Sequence, residues 1–349
     1  MTRVDQLSKR ERRVLEAVIQ SYVQTAEPAG SRTLSRLFGL GVSPATIRNT
    51  MSDLEEKGFL FHPHTSAGRV PTNKAYRTYV DALLGSPPSV TSADRDRLTE
   101  VLSGPDSPIE TILRRAAQSL GILTQELGVA MGPRLAASVL RSLDLVRVSG
   151  ERLLMVLTLD GGAVRTVFVE VAGSIAESAL AEVTKVLNER LGGLSLEEIR
   201  TSLGARLRDS VSVPDARELL NIFVQEAEAL FDEKIALGED QLLLGQASVL
   251  AEQPEFAAAD RMRRLIELTE RPQALADALR KRGETSGVSI TIGTEHDDER
   301  LRDFTVVTAA YHAGSLTGVI GVIGPTRMPY EKVISLVNHT SQLLSELLP

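Results

Sequence analysis

Apolar residues near the start of the chain recur at helical spacing. Val14, Leu15, Val18, Ile19, Tyr22 and Val23 make one stripe, and the S-x-x-E run Ser8-Lys9-Arg10-Glu11 ahead of it can cap a helix reciprocally. Glu27-Pro28-Ala29-Gly30 breaks the stripe. A short second helix is predicted over Ser31 to Phe38, with Leu34, Leu37 and Phe38 inward, followed by a tight turn at Gly39-Leu40-Gly41-Val42. Ser43 then suits an N-cap and Pro44 the first helical position, where its missing N–H costs nothing. The third helix is predicted to run to about Lys57 and to stop at Gly58.

Helix, short helix, glycine turn, helix is the helix-turn-helix order. In the third helix Ile47, Met51 and Leu54 must face the core. The opposite face then carries Ala45, Arg48, Asn49 and Ser52, with Thr46 beside them and Ser43 at its head. Small, amide and guanidinium groups near a helix N-terminus suit a major groove, where Arg can pair with guanine and Asn with adenine. The same residues would also serve as an ordinary solvated face. Phe59-Leu60-Phe61 reads as a short strand, and the polar loop His62-Pro63-His64-Thr65-Ser66-Ala67-Gly68-Arg69 leads into a second. Such a wing would bring His64, Thr65, Ser66 and Arg69 to phosphate or minor groove. His62 and His64 lack a third metal ligand. Tyr76, Tyr79, Val80 and Leu83 line a fourth helix, and Gly85-Ser86-Pro87-Pro88-Ser89 reads as a linker.

Further on, Ser107-Pro108-Ile109-Glu110 is a second capping pattern, opening a helix to about Leu127. Alternation predicts strands over 143–148, 153–159 and 164–171, the last two joined by Asp160-Gly161-Gly162. A helix is predicted over Glu177 to Leu191. From there to Gly283 the pattern is mostly helical, with Glu226, Glu228, Asp232 and Glu233 on solvated positions. Strands resume at 288–292, 303–311 and 316–323, and a final helix turns Val333, Ile334, Val337 and Leu344 inward. Strands, a helical block and strands again describe an α+β chain with an insertion, and its 349 residues fit two or three domains.

Charge sharpens this picture. Residues 1–84 hold 12 Lys and Arg against 8 Asp and Glu, a net of +4, while the remaining 27 and 38 give −11. A basic first module on an acidic body is the footprint of one polyanion-binding end. The chain has no Cys and only five His, which removes disulfides, thiolate metal sites and cysteine nucleophiles. Gly318-Val319-Ile320-Gly321-Val322-Ile323-Gly324 has the wrong spacing for a dinucleotide loop and no lysine for a phosphate loop, so it is read as a closely packed strand. Glu295-His296-Asp297-Asp298 is read as a solvated loop. Pro325-Thr326-Arg327 is read as a helix cap whose Arg locks a contact between domains. No enzyme constellation, metal or cofactor is expected. With no apolar run long enough to span a bilayer, a cytoplasmic protein is expected.

Four stretches carry a family resemblance. Ser31-Arg32-Thr33-Leu34, Ser43 to Glu55, His64 to Thr72, and Ile323-Gly324-Pro325-Thr326-Arg327-Met328-Pro329-Tyr330 resemble HrcA, the bacterial heat-inducible transcription repressors. Gln253-Pro254-Glu255-Phe256 is a weaker match, and Leu243 to Ser248 only an approximate one. The resemblance implies a winged helix-turn-helix over 1–84, a linker at 85–90, a GAF-like domain over 91–191 and 284–349, and an inserted dimerisation domain over 192–283. It implies that the strands flanking the insertion share one sheet. It also implies a homodimeric repressor of chaperone operons on the inverted repeat called CIRCE, kept active by a GroEL-type chaperonin. A metabolite-sensing winged-helix regulator is the alternative reading.

Overall fold

The structure is a computed structural model. It describes residues 7–64, 67–103, 109–133, 138–160, 164–171, 173, 175–207, 214–225, 242–280, 282, 287–314 and 316–348. Thr65, Ser66, Ser107, the Gly161-Gly162 turn and the acidic positions Glu226, Glu228, Asp232 and Glu233 lie outside these. Helix and strand are mixed, and the described residues fall into two compact units. The first comprises Met1–Ala130, Leu243–Ala310 and Ile320–Ser341; the second comprises Met131–Leu242, Tyr311–Val319 and Gln342–Pro349.

The first unit begins with α1 (Lys9–Thr25), α2 (Ser31–Leu37) and α3 (Pro44–Glu56), then a two-stranded ribbon of β1 (Leu60–Phe61) and β2 (Val70–Pro71), then α4 (Asn73–Gly85). The capping box forms as read: Ser8 Oγ accepts from the Glu11 N–H, and Glu11 accepts from the Ser8 N–H at 2.8 Å. Val14, Leu15, Val18 and Ile19 of α1, Leu34 of α2, and Ile47, Met51 and Leu54 of α3 are buried together. Leu37 departs from expectation, standing 60% exposed at the end of α2. A seven-residue helix has less than two turns to bury, and Leu34 occupies its inward position.

After α5 (Ser92–Leu102) and α6 (Ile109–Thr124) comes β3 (Leu127–Met131). The helix predicted to reach Leu127 stops early because Gln125 adopts a left-handed φ of 58°, which ends α-helical hydrogen bonding. β3 joins a five-stranded sheet in the order β7-β3-β10-β9-β8, built with β7 (Leu242–Leu244), β8 (Val288–Ile292), β9 (Phe304–Ala313) and β10 (Leu316–Pro325). Between β7 and β8 lie α10 (Ser248–Ala251), a 3-10 turn at Pro254–Ala257, α11 (Ala259–Glu270) and α12 (Gln273–Arg280), and α13 (Tyr330–Leu347) follows β10. Glycines permit the close approaches: a Cβ on Gly128 would collide with the Ala117 carbonyl of α6, one on Gly321 with the Val307 carbonyl, and one on Gly324 with the Glu126 carboxylate. The glycine-spaced run is therefore a packed strand.

The second unit holds β4 (Leu140–Ser149), β5 (Arg152–Leu159) and β6 (Val164–Glu170), with α7 (Glu177–Leu191), α8 (Leu196–Leu207) and α9 (Pro214–Gln225). The three strands are antiparallel and form a sheet of their own. They do not join the strands of 288–325, which corrects the expectation of one shared sheet. Consecutive strands joined by short turns pair with each other at little cost in loop entropy, and this meander is complete without a distant partner. One face packs Leu143, Met155, Leu157 and Val169 against Val183, Leu187, Ile199, Leu203 and Phe223. On the other, the register places Val146, Leu154 and Phe168 in one row across all three strands. Val146, Val148, Val164 and Phe168 are each at least half exposed there.

Candidate nucleic-acid interface

The third helix presents the face that its spacing predicted. Ile47, Met51 and Leu54 are buried, while Ala45, Arg48, Asn49 and Ser52 are exposed and Thr46 is half-buried. Among the described residues, Ala45, Arg48, Asn49 and Ser52 offer side chains that no protein group engages. Ser43 and Thr46 are already committed: the Thr46 N–H donates to Ser43 Oγ at 3.1 Å, and the two hydroxyls lie 3.0 Å apart. Their work is to hold the first turn of α3, which leaves Arg48 and Asn49 as the groups free to read a base edge.

Sequence reasoning passed over two cations beside this face. Arg32 and Arg36 of α2 are exposed with no ion pair among the described residues. Their i, i+4 spacing places them on one side of the short helix, which is the signal that could have found them.

The ribbon is fastened to α3 by one acid. Glu55 accepts from the Arg69 guanidinium at 2.8 Å through one oxygen and lies 2.6 Å from His62 Nδ1 through the other. Arg69 is further held by its backbone, which exchanges two hydrogen bonds with Ala29 at 2.9 and 3.0 Å. Gly68 sits so close that any Cβ would run into the Ala29 carbonyl. Thus Arg69, read from sequence as a phosphate clamp, is placed as a pin between ribbon and helix. His64 stands exposed at the tip, and Thr65 and Ser66 lie outside the described residues. Among the described residues no group of three or more His, Asp or Glu could hold a metal ion.

Behind the ribbon, Lys57 pairs with Glu11 at 2.8 Å. That bond, with the Ser8 N–H, holds the Glu11 carboxyl down at about 2. Lys74 lies 4.4 Å above the Phe59 ring and donates to the Lys57 carbonyl at 2.9 Å.

The four-helix module is also bonded into the rest of its unit at three places. Arg77 of α4 makes a two-pronged pair with Glu295 at 2.7 and 2.6 Å and donates to the Ile290 carbonyl at 2.8 Å. Tyr79 donates to Glu331 of α13 at 2.8 Å. Arg327 pairs through two nitrogens with Glu255 and donates to the Val23 carbonyl in the last turn of α1 at 2.7 Å. Two of the family-like stretches therefore meet at one ion pair.

In Glu295-His296-Asp297-Asp298 the acids Glu295 and Asp297 are exposed, as expected of a solvated loop, but Glu295 is paired with Arg77 and His296 is buried. Burial tends to raise the Glu295 carboxyl, but Arg77 and the Ile292 N–H outweigh this and leave it below its ordinary value. His296 is buried, and burial together with the nearby Arg282 guanidinium pushes its imidazole down to about 4. Nearby, the fully buried Glu126 is raised well above the carboxylate range by desolvation, with Gln253 donating to it at 3.3 Å.

The model of the HrcA protein C-terminal domain matches residues 110–334. The heat-inducible transcription repressor HrcA of Chlorobium phaeobacteroides (strain BS1) is 41% identical over 352 residues, covering 97% of this chain and 97% of its own. That of Geobacter sulfurreducens is 37% identical, covering 98% of each. A solved structure described as a hypothetical protein at 2.2 Å resolution shares the fold, with a TM-score of 0.65 at 23% identity over 98% of this chain and 99% of that one. Among the described residues no helix is long and apolar enough to cross a membrane. Identity of this order over nearly the full length of both chains leaves one assignment: the chain belongs to the HrcA family of heat-inducible transcription repressors.

Proposed function

We propose that the protein represses heat-inducible chaperone genes in the cytoplasm by binding double-stranded DNA as a homodimer at an inverted repeat of the CIRCE type. The observation that carries this is the α3 face of Ala45, Arg48, Asn49 and Ser52, exposed and unengaged above a fully buried Ile47/Met51/Leu54 seam. α1 to α4 with the ribbon act as a winged helix, in which Arg48 and Asn49 read bases, Ser43 and Thr46 shape the helix head, and Ser52 and His64, together with Thr65 and Ser66, meet phosphate. Arg32 and Arg36 add sequence-independent phosphate attraction.

The five-stranded sheet with its helices serves as the GAF-like domain. The second unit serves as the inserted dimerising domain through its outer sheet face. A row of exposed Val146, half-buried Leu154 and exposed Phe168, with exposed Val148 and Val164 on the same face, is the kind of apolar patch that monomers rarely leave uncovered. Two-fold pairing then accounts for an inverted-repeat operator, and a GroEL-type chaperonin sustains the active form until heat diverts it.

A metabolite-sensing reading draws on one feature, an open cleft of about 1030 Å³ lined by Met262, Ile266, Arg263, Arg271, Arg300 and Arg302 among others. Saturable heat on titration with an anionic metabolite would favour it.

The test is fluorescence anisotropy on an inverted-repeat duplex from upstream of the host chaperonin genes, against a scrambled duplex, at two salt concentrations. Preference for the repeat by about 10³-fold or more supports direct reading. Equal, steeply salt-dependent binding to both, unchanged by added chaperonin, refutes it.

A further inference from the structure

The residues that fasten the four-helix module to its unit perform no reading of their own, yet they are placed where angular freedom would arise. Without them the module would hang on residues 86–90, a stretch outside any helix or strand that contains Pro87 and Pro88. Such a tether is stiff along its own length but free to pivot at its ends. With them, three fasteners engage α1 and α4. Arg77 grips the β8–β9 connection through Glu295, and Tyr79 reaches Glu331 at the start of α13. Arg327, whose side chain is 14% exposed against 13% for Glu255, holds the C-terminal carbonyl of α1 at Val23. Attachments on both α1 and α4 oppose rotation of the module, and guanidinium pairs of this two-pronged kind fix direction as well as distance. Asn73 adds a fourth contact, donating to Thr294 at 3.2 Å beside Gly293, where a Cβ would press into the Asn73 amide.

We propose that Arg77 and Arg327, with Glu295 and Glu255, are positioning residues that fix the angle at which α3 is presented, and so set the half-site spacing that a dimer accepts. This rests on the reading of the protein as a dimer on an inverted repeat. Two reading heads on one duplex are joined in series, and each joint between them adds its own angular spread to the permitted spacing. The clamp eliminates the first joint on each side. The affinity gained from binding two half-sites at once falls when the heads are held loosely. A loosened head also forgives a displaced half-site, because a shift of about half a helical turn, roughly 5 base pairs, then needs only a swing of the tether.

The experiment compares two double variants of the full chain, Arg77→Met/Arg327→Met and Glu255→Gln/Glu295→Gln, with the unmodified protein. Each is titrated on duplexes carrying the repeat at native spacing, at spacings changed by 5 base pairs either way, and as a single half-site. The first variant removes the bonds to Glu295, Ile290, Glu255 and Val23, while the second takes the carboxylates from the same two arginines and leaves their bonds to the Val23 and Ile290 carbonyls; the two shift net charge in opposite directions, so a change common to both reports geometry and not DNA electrostatics. Circular dichroism and thermal melts select for folded variants, and Arg77→Lys/Arg327→Lys, which keeps charge but loses the fork, should fall between.

The expected result is strict spacing for the unmodified protein, about 100-fold or more between native and displaced repeats, shrinking to under about tenfold in both variants. Half-site affinity should stay within about threefold of the unmodified protein. Retained strict spacing in both folded variants overturns the inference, as does indifference to spacing in the unmodified protein. Failure of the unmodified protein to prefer any inverted repeat over scrambled DNA would instead strike the functional reading beneath it.

Discussion

Lowering the pH from 7 to 5 should destabilise the first unit through His296. In the folded chain this imidazole is buried, its Nε2 has no hydrogen-bond partner among the described residues, and the Arg282 guanidinium opposes a second positive charge. Backbone hydrogen bonds with Phe304 and Thr291 and the charge of Glu295 pull the other way, but desolvation wins and the group protonates only near 4, against 6.5 in an unfolded chain. The sign follows from proton counting. Above pH 6.5 the group is neutral in both states and contributes nothing to the pH dependence. Between 6.5 and 4 the unfolded chain takes up a proton that the folded chain refuses, so stability falls as the pH is lowered. At about 1.4 kcal/mol per unit, the full difference is on the order of 3 kcal/mol below pH 4, of which about 2 kcal/mol is lost by pH 5. For a unit of this size that corresponds to a melting temperature lower by roughly 4–8 °C. The assay is a thermal melt by circular dichroism at half-unit steps from pH 7 to 5, above the range where most carboxylates titrate. His296→Gln should flatten the profile. An unchanged slope in His296→Gln would refute the argument from burial.

Other outcomes follow from single contacts. Arg48→Ala should cost about 1–3 kcal/mol on the operator and relax preference at one base position; equal loss on random DNA, read by anisotropy, would assign it to phosphate. Gly128→Ala forces a Cβ into the Ala117 carbonyl and should cost about 1–3 kcal/mol in urea unfolding, so an unchanged midpoint would show that α6 and β3 part freely. Phe168→Glu, on the exposed apolar row, should give monomers in sedimentation velocity with secondary structure intact; a persistent dimer would move the interface elsewhere. Glu11, held at about 2 by Lys57, contributes stability that is present above about 4.5 and lost as the pH falls toward 2. Lys57→Met should therefore shallow the acid limb of the melt profile in that window, and an unaltered limb would count against the pairing.

What the sequence disclosed was whatever depends on near neighbours. The faces of α3 follow from the spacing of Ile47, Met51 and Leu54 alone, and the caps at Ser8 and Ser43 need only three residues of context. Strands were recognisable from alternation, but alternation does not say which sheet a strand joins, so β4 to β6 were assigned to the wrong one. β3 and β7 escaped notice because they are short, and their partners are distant in sequence, β7 pairing with β3 and β3 also with β10, each across more than a hundred residues. Charged side chains were hardest to place. Arg69 looks like a phosphate ligand until Glu55 is seen to take it, and Glu295 looks solvated until Arg77 arrives from 218 positions away. The partner of an ion pair is a fact of tertiary structure, and neither residue carries a mark of it. Arg327 as a lock was legible because a cation at a helix head in a Gly-Pro context has few other uses.

The first unit is assembled from three separated stretches of chain, and the bond from Arg327 to Val23 spans 304 positions. During synthesis the DNA-reading helices emerge first, while Glu255, Glu295, Arg327 and Glu331 are still untranslated. At about 5–20 residues per second the interval between α4 and Arg327 is on the order of 10–50 s. Throughout that time the module's inner surface, including Tyr76 and Tyr79, has nothing to dock against. Contacts of such sequence separation also close slowly once the chain is free. Each new molecule therefore passes through an interval in which its DNA-reading helices are made but not yet fastened, and the last bond to form is the one that fixes their direction.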